Sequence, residues 1–279
     1  MTEKIDNSFL SAEISIKGAE LFSLKKQETE YIWQRDPKYW NRSSPLLFPS
    51  VGRQKNDSYA FENIIYPVGM HGIADYLETK AILTSNTNLT LESIPTKHSS
   101  VSFPFDFKII SNFTLDGNML YVSRTVYNCD NVIFPFCIGE HTGFSCSNPD
   151  TSFLVFEREE NTKRALLNKE HYIGNENPIR INELSLSDSI FYDGAYILRE
   201  WKSEYISLIE DGKEILRVYR GNYPAVALWR KPKASFVCVE PIQGFDSDIC
   251  DNEDFLTKKN IVIIAPKESI KFSYSIMIV

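Results

Sequence analysis

The C-terminal stretch IKFSYSIMI, residues 270–278, decides the fold class of this chain. Apolar side chains recur at every second position from Ile270 to Ile278, and the positions between them carry Lys271, two serines and Met277. A period of two places the recurring apolar side chains on one face of a β-strand, whereas a helix needs a period near 3.6. The stretch therefore predicts a strand with one buried face.

Strand patterns continue outward from this stretch. The apolar run 261–264 precedes it and ends at a turn signal, 266–268, so the two segments are predicted to form a C-terminal hairpin. Residues 10–16 alternate in the same way near the start of the chain. Asp-Gly pairs at 116–117 and 211–212 stand between β-rich runs, which predicts two further hairpins.

Helical periodicity is scarce. No segment gives three turns of apolar i, i+3, i+4 spacing, and only residues 36–42 suggest one short helical turn. No repeat, charge run or Pro/Gly/Ser-rich linker divides the chain. We therefore predict an all-β fold, a large antiparallel β-sandwich with few short helices, in a single domain over residues 1–279.

Composition limits the classes of function. The 279 residues are 43% hydrophobic and 24% charged, as in folded proteins. A formal net charge of −7 argues against nucleic acid or an anionic membrane as the partner. No apolar segment is long enough to span a membrane, and the N-terminus lacks the apolar region of a secretory signal. Five cysteines, an odd number, favour a reducing cytoplasm over a disulfide framework.

Two of the four histidines are candidates for chemistry. His141 lies between two glycines in the aromatic segment 134–144, which suggests a tight bend that holds an imidazole at a sheet edge. His71 stands beside Gly72, outside any regular pattern. Histidine is the usual acid–base group, but a core or loop histidine without a catalytic role remains the alternative for both. His98 and His171 lie in polar segments and are predicted to be solvated.

Glu240 follows the apolar run 234–239 and precedes Pro241, which is predicted to end the strand. A carboxylate that closes a buried strand must be paired, neutral or functional, because burial of an isolated charge is costly. A glutamate in water at the strand end is the alternative. Arg53 similarly follows an apolar segment and a glycine.

Metal and nucleophile signals are weak. His141 and Cys146 form a tight His/Cys pair, and no partner stands at the usual ligand spacing. Glycine-rich phosphate loops, GxSxG and CxxC are absent from the sequence. We therefore predict neither a metal site nor a cofactor.

Taken together, the motifs resemble the aldose 1-epimerase (galactose mutarotase-like) family, in particular its LacX-like bacterial branch. The matching segments occur in family order and cover most of the chain: 17–24, 31–40, 45–53, 71–74, 103–107, 135–144 and 238–248.

The resemblance implies a β-supersandwich with a sugar site in a groove on one sheet, and a small-molecule aldohexose as partner of a monomer or homodimer. It implies that Glu240 is the catalytic base and His141 the catalytic acid. His71 and Arg53 would bind the sugar, and Asp193 resembles the family's additional sugar-binding carboxylate. The implied reaction is interconversion of α and β anomers, without a metal or cofactor.

One residue departs from the family pattern. LacX-like members usually follow the HGFA segment with arginine, where this chain has Asp75. A carboxylate at this position would repel a phosphate and accept hydrogen bonds from hydroxyls, so we expect a neutral aldose rather than its 6-phosphate. Alternatively, Asp75 points to solvent or pairs with Arg53. An enzyme for a phosphorylated or modified sugar and a non-catalytic sugar-binding protein stay open as alternatives.

The expected mechanism places a carboxylate and an imidazolium on opposite sides of the sugar ring. Desolvation should raise the pKa of Glu240, while an acidic groove containing Asp193 should keep His141 charged. Four phenylalanines in the matching segments are candidates for a flat sugar-stacking surface, with core packing as the alternative: Phe48, Phe136, Phe144 and Phe245.

Overall fold

The computed structural model describes all 279 residues, and most of them lie in β-strands. The first half of the chain contributes β1 (Thr2–Asp6), β2 (Ser11–Ser15), β3 (Glu20–Lys26), β4 (Thr29–Glu30), β5 (Leu46–Leu47), β6 (Ser58–Phe61), β7 (Ile64–Pro67), β8 (Glu78–Thr84), β9 (Asn88–Ile94), β10 (Phe107–Asp116) and β11 (Met119–Asn128). The second half contributes β12 (Phe134–Phe136), β13 (Ile138–Glu140), β14 (Thr142–Ser145), β15 (Phe153–Leu167), β16 (Ile173–Ser185), β17 (Tyr196–Leu198), β18 (Tyr205–Glu210), β19 (Lys213–Tyr219), β20 (Ala225–Trp229), β21 (Phe236–Gln243), β22 (Val262–Ile264) and β23 (Ser269–Ile278).

Helical segments are few and short. The only α-helix, α1, spans Ser99–Ser102, and the 3₁₀ turns are Lys17–Ala19, Lys55–Asp57, Ala74–Tyr76, Pro149–Thr151 and Asp188–Phe191. The predicted all-β fold is therefore confirmed. No helix is long and apolar enough to cross a lipid bilayer.

One large antiparallel sheet contains most of the strands. Its order is β5-β13-β21-β20-β17-β15-β18-β19-β23-β11-β10-β9-β8, with β14 also paired to β21 and β16 to β15. Strands β1 to β4 form a separate antiparallel sheet, and β6–β7 and β12–β22 form two-stranded ribbons. Apolar side chains from these sheets share one extensive core.

The turn signals placed two hairpins correctly. Asp116 pairs with Met119 at the β10–β11 turn, and Glu210 pairs with Lys213 at the β18–β19 turn. The alternation at the C-terminus is also confirmed, since Phe272, Tyr274, Ile276 and Ile278 are buried.

The predicted C-terminal hairpin is wrong. Strand β22 pairs with β12, while β23 lies between β11 and β19 in the large sheet. A turn signal predicts that the chain reverses, but the partner of a strand depends on which strands elsewhere present a free edge. Residues 36–42 contain the single turn that the sequence suggested, in which the Tyr39 and Trp40 amides both donate to the Asp36 carbonyl, and no longer helix.

Candidate active site

His141 and Glu240 face each other across two antiparallel strands. Gly139 of β13 pairs with Ile242 of β21, and Thr142 of β14 pairs with Val239 of β21. Both strands thus keep the same register against β21, although His141 between them belongs to neither strand. His141 therefore lies opposite Glu240. The His141 amide does not donate to β21; it donates to the Pro45 carbonyl over 3.1 Å.

Pro241 does not end the strand, contrary to the prediction. Strand β21 continues to Gln243, and Pro241 pairs with Val226 of β20. On the other side of β21, the pairing with β13 stops at Ile242 and the pairing with β14 begins at Val239. Residues 240 and 241 therefore have no partner there, and the missing N–H of Pro241 costs no ladder hydrogen bond with β13 or β14.

The two side chains form a buried pair without a direct hydrogen bond. His141 Nε2 lies 3.6 Å from Glu240 Oε1, and the side chains are only 8% and 5% exposed. Glu240 Oε1 and the other imidazole nitrogen, His141 Nδ1, have no hydrogen-bond partner. Buried polar atoms are nearly always paired in folded proteins, so these unpartnered atoms are available to a ligand.

Aromatic rings hold the His141 imidazole in place. Trp40 stacks on it with ring centroids 4.7 Å apart, and Trp229 meets it edge-on at 5.6 Å. Gly143 makes this stacking possible, because a Cβ there would lie 2.8 Å from the Trp40 ring. Gly143 therefore leaves the space that the Trp40 indole needs to stack on His141.

A strained loop presents His71 to the same space. His71 has φ +66° and Gly72 has φ +83°, and a side chain at Gly72 would overlap the Phe48 carbonyl. The Gly52 amide donates to His71 Nδ1 over 3.2 Å, so the proton of the neutral ring lies on Nε2. Burial and the nearby Arg42 charge lower the pKa of His71 to about 4. His71 is therefore a neutral hydrogen-bond donor.

Burial disfavours charge on both members of the central pair. It raises the pKa of Glu240 well above the usual carboxyl value, and the neighbouring Asp246 adds to this increase. The predicted direction for Glu240 is thus confirmed. Burial lowers the pKa of His141 well below its usual value, with His71 and Arg42 contributing. The prediction of a charged His141 is wrong, because burial of the imidazole disfavours its charged form more than any other contribution.

A cavity of about 570 Å³ opens above the pair. Its size falls in the usual range for a small-molecule site. Trp40 and Trp229 line it, whereas the four phenylalanines proposed for sugar stacking are all buried in the core. Other lining residues that the argument uses are Arg42, His71, Asp75, His141, Glu240 and Asp246.

Asp75 is paired, although not with Arg53. Its two oxygens accept from Arg42 Nη1 at 2.6 Å and Nη2 at 2.9 Å in a forked arrangement. Glu20 Oε2 accepts from Nη2 of the same guanidinium at 3.0 Å. Arg42 thus brings a cation into the cavity from a different loop.

Arg53 and Asp193 lie outside the cavity. The Arg53 guanidinium pairs with Asp57, and only its backbone amide approaches the site, where it donates to Asp246 Oδ1 over 2.7 Å. Asp193 is exposed, although the next residue, Gly194, lines the cavity. Sugar-binding roles for Arg53 and Asp193 stay predictions that this arrangement does not support.

Sequence reasoning missed several lining residues. Trp40 and Asp246 lie inside the segments that carried the resemblance, which was the available signal. Arg42 and Trp229 showed no sequence signal of a role at the site, because only the folding of the chain brings them close to His141 and Glu240. His171 is exposed as predicted, and it also lines the cavity.

A family model described as aldose 1-epimerase matches residues 2–277. The chain belongs to the aldose 1-epimerase family. Protein LacX (plasmid form) of Lactococcus lactis subsp. lactis is 26% identical over 302 aligned positions, which cover 100% of this chain and 99% of LacX. The solved structure of a galactose mutarotase related enzyme from Lactobacillus acidophilus has a TM-score of 0.95 at 26% identity and covers 100% and 97% of the two chains.

A solved structure of much lower sequence identity also shares the fold of this aldose 1-epimerase family chain. Galactose 1-epimerase from Lactobacillus acidophilus NCFM has a TM-score of 0.72 at 12% identity, with 98% of this chain and 92% of the other covered. Similarity at that level shows the fold alone. Membership of the aldose 1-epimerase family places the chain in an isomerase class.

Proposed function

We propose that the protein interconverts the α and β anomers of a neutral aldohexose, with Glu240 and His141 as the proton-transfer pair. The observation that carries the proposal is the buried pair itself, 3.6 Å apart at a cavity of sugar size, with unpartnered polar atoms. A cytoplasmic location and a monomeric or homodimeric state stay predictions.

Mutarotation needs one proton donor and one proton acceptor. The acceptor removes the proton from the anomeric O1 while the donor protonates the ring O5. The C1–O5 bond breaks and C1=O1 forms, the aldehyde turns about C1–C2, and the reverse transfers close the ring. Atoms and electrons balance without an oxidant, a reductant or a covalent intermediate. The proposed reaction therefore needs no cofactor.

The adjacency of the pair suits this reaction. O1 and O5 are both bonded to C1, so a donor and an acceptor side by side can reach both. The predicted placement of the two groups on opposite sides of the sugar ring does not fit their 3.6 Å separation in the unliganded site.

The pair holds one transferable proton. Because burial disfavours both charges, that proton rests on Glu240, with His141 neutral. In this form Glu240 is the donor and His141 the acceptor. When the proton moves to His141, the roles are those that the family resemblance implies. Either form supplies one donor and one acceptor, and the roles exchange between ring opening and closure.

The remaining lining residues suit a neutral sugar. His71 Nε2–H can donate to a ring or hydroxyl oxygen, and the Trp40 and Trp229 rings offer apolar surface to sugar C–H groups. Arg42 is the only lysine or arginine of the lining, and its guanidinium is already paired with Asp75 and Glu20. One cation against two carboxylates leaves no free positive charge for a phosphate.

We therefore expect kcat/KM for glucose or galactose to exceed that for glucose 6-phosphate by about tenfold or more, the factor given by about 1.4 kcal/mol of repulsion. Asp75→Asn should lower this ratio of neutral sugar to phosphate, because it removes a carboxylate and frees part of the Arg42 guanidinium to bind the phosphate. Asp116→Asn, at the exposed β10–β11 turn, is the matched control. A wild-type preference for the phosphate would contradict the assignment.

The pH profile should report the shared proton. Activity is expected to be flat through neutral pH and to fall on the acid side only well below pH 6.5, where lowered-pKa His141 gains a second proton. The alkaline limb follows loss of the Glu240 proton, whose pKa Asp246 raises. The pKa of Asp246 is itself raised by burial, to about 6, so Asp246 is charged at that limb.

Asp246→Asn should accordingly move the alkaline limb to lower pH, while Asp116→Asn, at the exposed β10–β11 turn, leaves it in place. An alkaline limb that stays fixed or moves upward in Asp246→Asn would show that Glu240 is not the group that titrates. Both profiles are read from kcat/KM against pH.

The basic test is polarimetry of freshly dissolved α-glucose and α-galactose. The proposed function requires that the protein speeds equilibration over the buffer rate. Saturable sugar binding without acceleration would instead identify a non-catalytic sugar-binding protein.

A further inference from the structure

Cys238 lies beside the proton-transfer pair and has no part in the proposed reaction. It precedes Glu240 by two positions on β21, so both side chains lie on the same face of the sheet. Gly143 pairs with Cys238 and adds no side chain there. The Cys238 sulfur, a Glu240 oxygen and a His141 ring nitrogen all lie within 4.8 Å of one another.

We propose that these three residues form a binding site for a thiophilic divalent cation, Zn²⁺ above all, and that the bound cation blocks the sugar site. Imidazole nitrogen, thiolate sulfur and carboxylate oxygen are the three ligand types that zinc takes. Three protein ligands leave a fourth position for water from the cavity. Sequence spacing had pointed to Cys146, which is not a member of this group.

Two further observations support a cation here. Glu240 Oε1 is buried without a hydrogen-bond partner, so the site contains an unused donor atom for a ligand. A divalent cation with one thiolate and one carboxylate is also formally neutral. A neutral cluster suits this buried position far better than the separate charges do, because burial of unpaired charge is costly.

The bound cation would stop proton transfer. It would take the lone pair of His141 and displace the protons of Glu240 and of the Cys238 thiol, both of which pass to solvent, so the pair would hold neither a donor nor an acceptor. It would also occupy the position beside the anomeric centre of the sugar. Inhibition should therefore be competitive with the sugar and reversed by a chelator. This step rests on the proposed function, whereas the binding of the cation does not.

The binding test uses Co²⁺ as a spectroscopic probe on chelator-treated protein without sugar. A thiolate ligand gives cobalt a sulfur-to-metal charge-transfer absorption in the near ultraviolet, which should appear in the wild type. Cys238→Ala should abolish this band and weaken Zn²⁺ displacement of Co²⁺ by at least about tenfold, since loss of an outer-shell partner alone costs 10–100-fold. Cys250→Ala, at an exposed cysteine, is the matched control.

The inhibition test measures mutarotation against ZnCl₂, with each variant normalised to its own metal-free rate. Wild type and Cys250→Ala should be inhibited and recover with EDTA, while Cys238→Ala should need at least about tenfold more zinc. Absence of the cobalt band, or equal zinc affinity in Cys238→Ala, would overturn the site. If the band appears but the protein does not accelerate mutarotation, the metal site stands and the proposed function fails.

Discussion

Glu240→Gln is expected to lower the mutarotation rate by about 10²–10⁴-fold, the usual contribution of a positioned acid or base. Glutamine keeps the shape of the side chain and removes the transferable proton. The fold should remain intact, because Glu240 Oε1 has no hydrogen-bond partner to lose. The measurement is polarimetry on purified variants whose thermal unfolding matches the wild type. The exposed Glu183→Gln is the matched control.

His141→Asn should cost a similar factor. The double variant should cost much less than the product of the two single effects, because one transfer without the other does not open the ring. Near-normal activity in a folded Glu240→Gln protein would refute the pair as the catalytic unit. Fully multiplicative losses would show that the two residues act independently.

Arg124→Met is expected to lower the free energy of unfolding by about 3–5 kcal/mol, the usual cost of leaving one charge of a buried pair without its partner. Arg124 and Glu140 form a forked ion pair with N···O distances of 2.8 Å and 3.0 Å, and their side chains are at most 1% exposed. Glu140 directly precedes His141, so this pair anchors the strand that leads into the candidate site.

Chemical unfolding with urea tests this expectation. Adding Glu140→Gln to Arg124→Met should restore much of the loss, because an uncharged replacement for a buried ion pair is often nearly neutral. Arg180→Met removes an exposed pair with Glu159 and should change stability far less. A double variant no more stable than Arg124→Met would show that packing, rather than the unpaired carboxylate, explains the cost.

The family resemblance located the pair at the centre of the site. Glu240 and His141 could be named because each lies in a segment with a recognisable local pattern, an apolar run before proline and a histidine between glycines. The raised pKa of Glu240 followed from the same apolar run. The neutral state of His141 did not follow, since it depends first on burial in the folded chain and then on His71, whose ring meets it edge-on with centroids 5.3 Å apart, and on Arg42.

The environment of Asp75 shows what a local pattern omits. The local sequence favoured hydrogen bonds from sugar hydroxyls, with solvent or Arg53 as the alternative partners of Asp75. The fold pairs it with Arg42, 33 residues earlier in the chain. An ion pair depends on distance in space, which no spacing along the chain specifies. The same reason explains why Cys238 rather than Cys146 accompanies His141.

The sequence by itself determined the strands, the two Asp-Gly hairpins and the family, because the side-chain alternation and turn chemistry are properties of neighbouring residues. The tertiary structure alone decided strand partners such as β12 for β22, and which aromatic rings line the cavity. It also decided that Asp75 pairs with Arg42. These features arise from contacts between distant segments, whose energies depend on the packed arrangement rather than on local sequence.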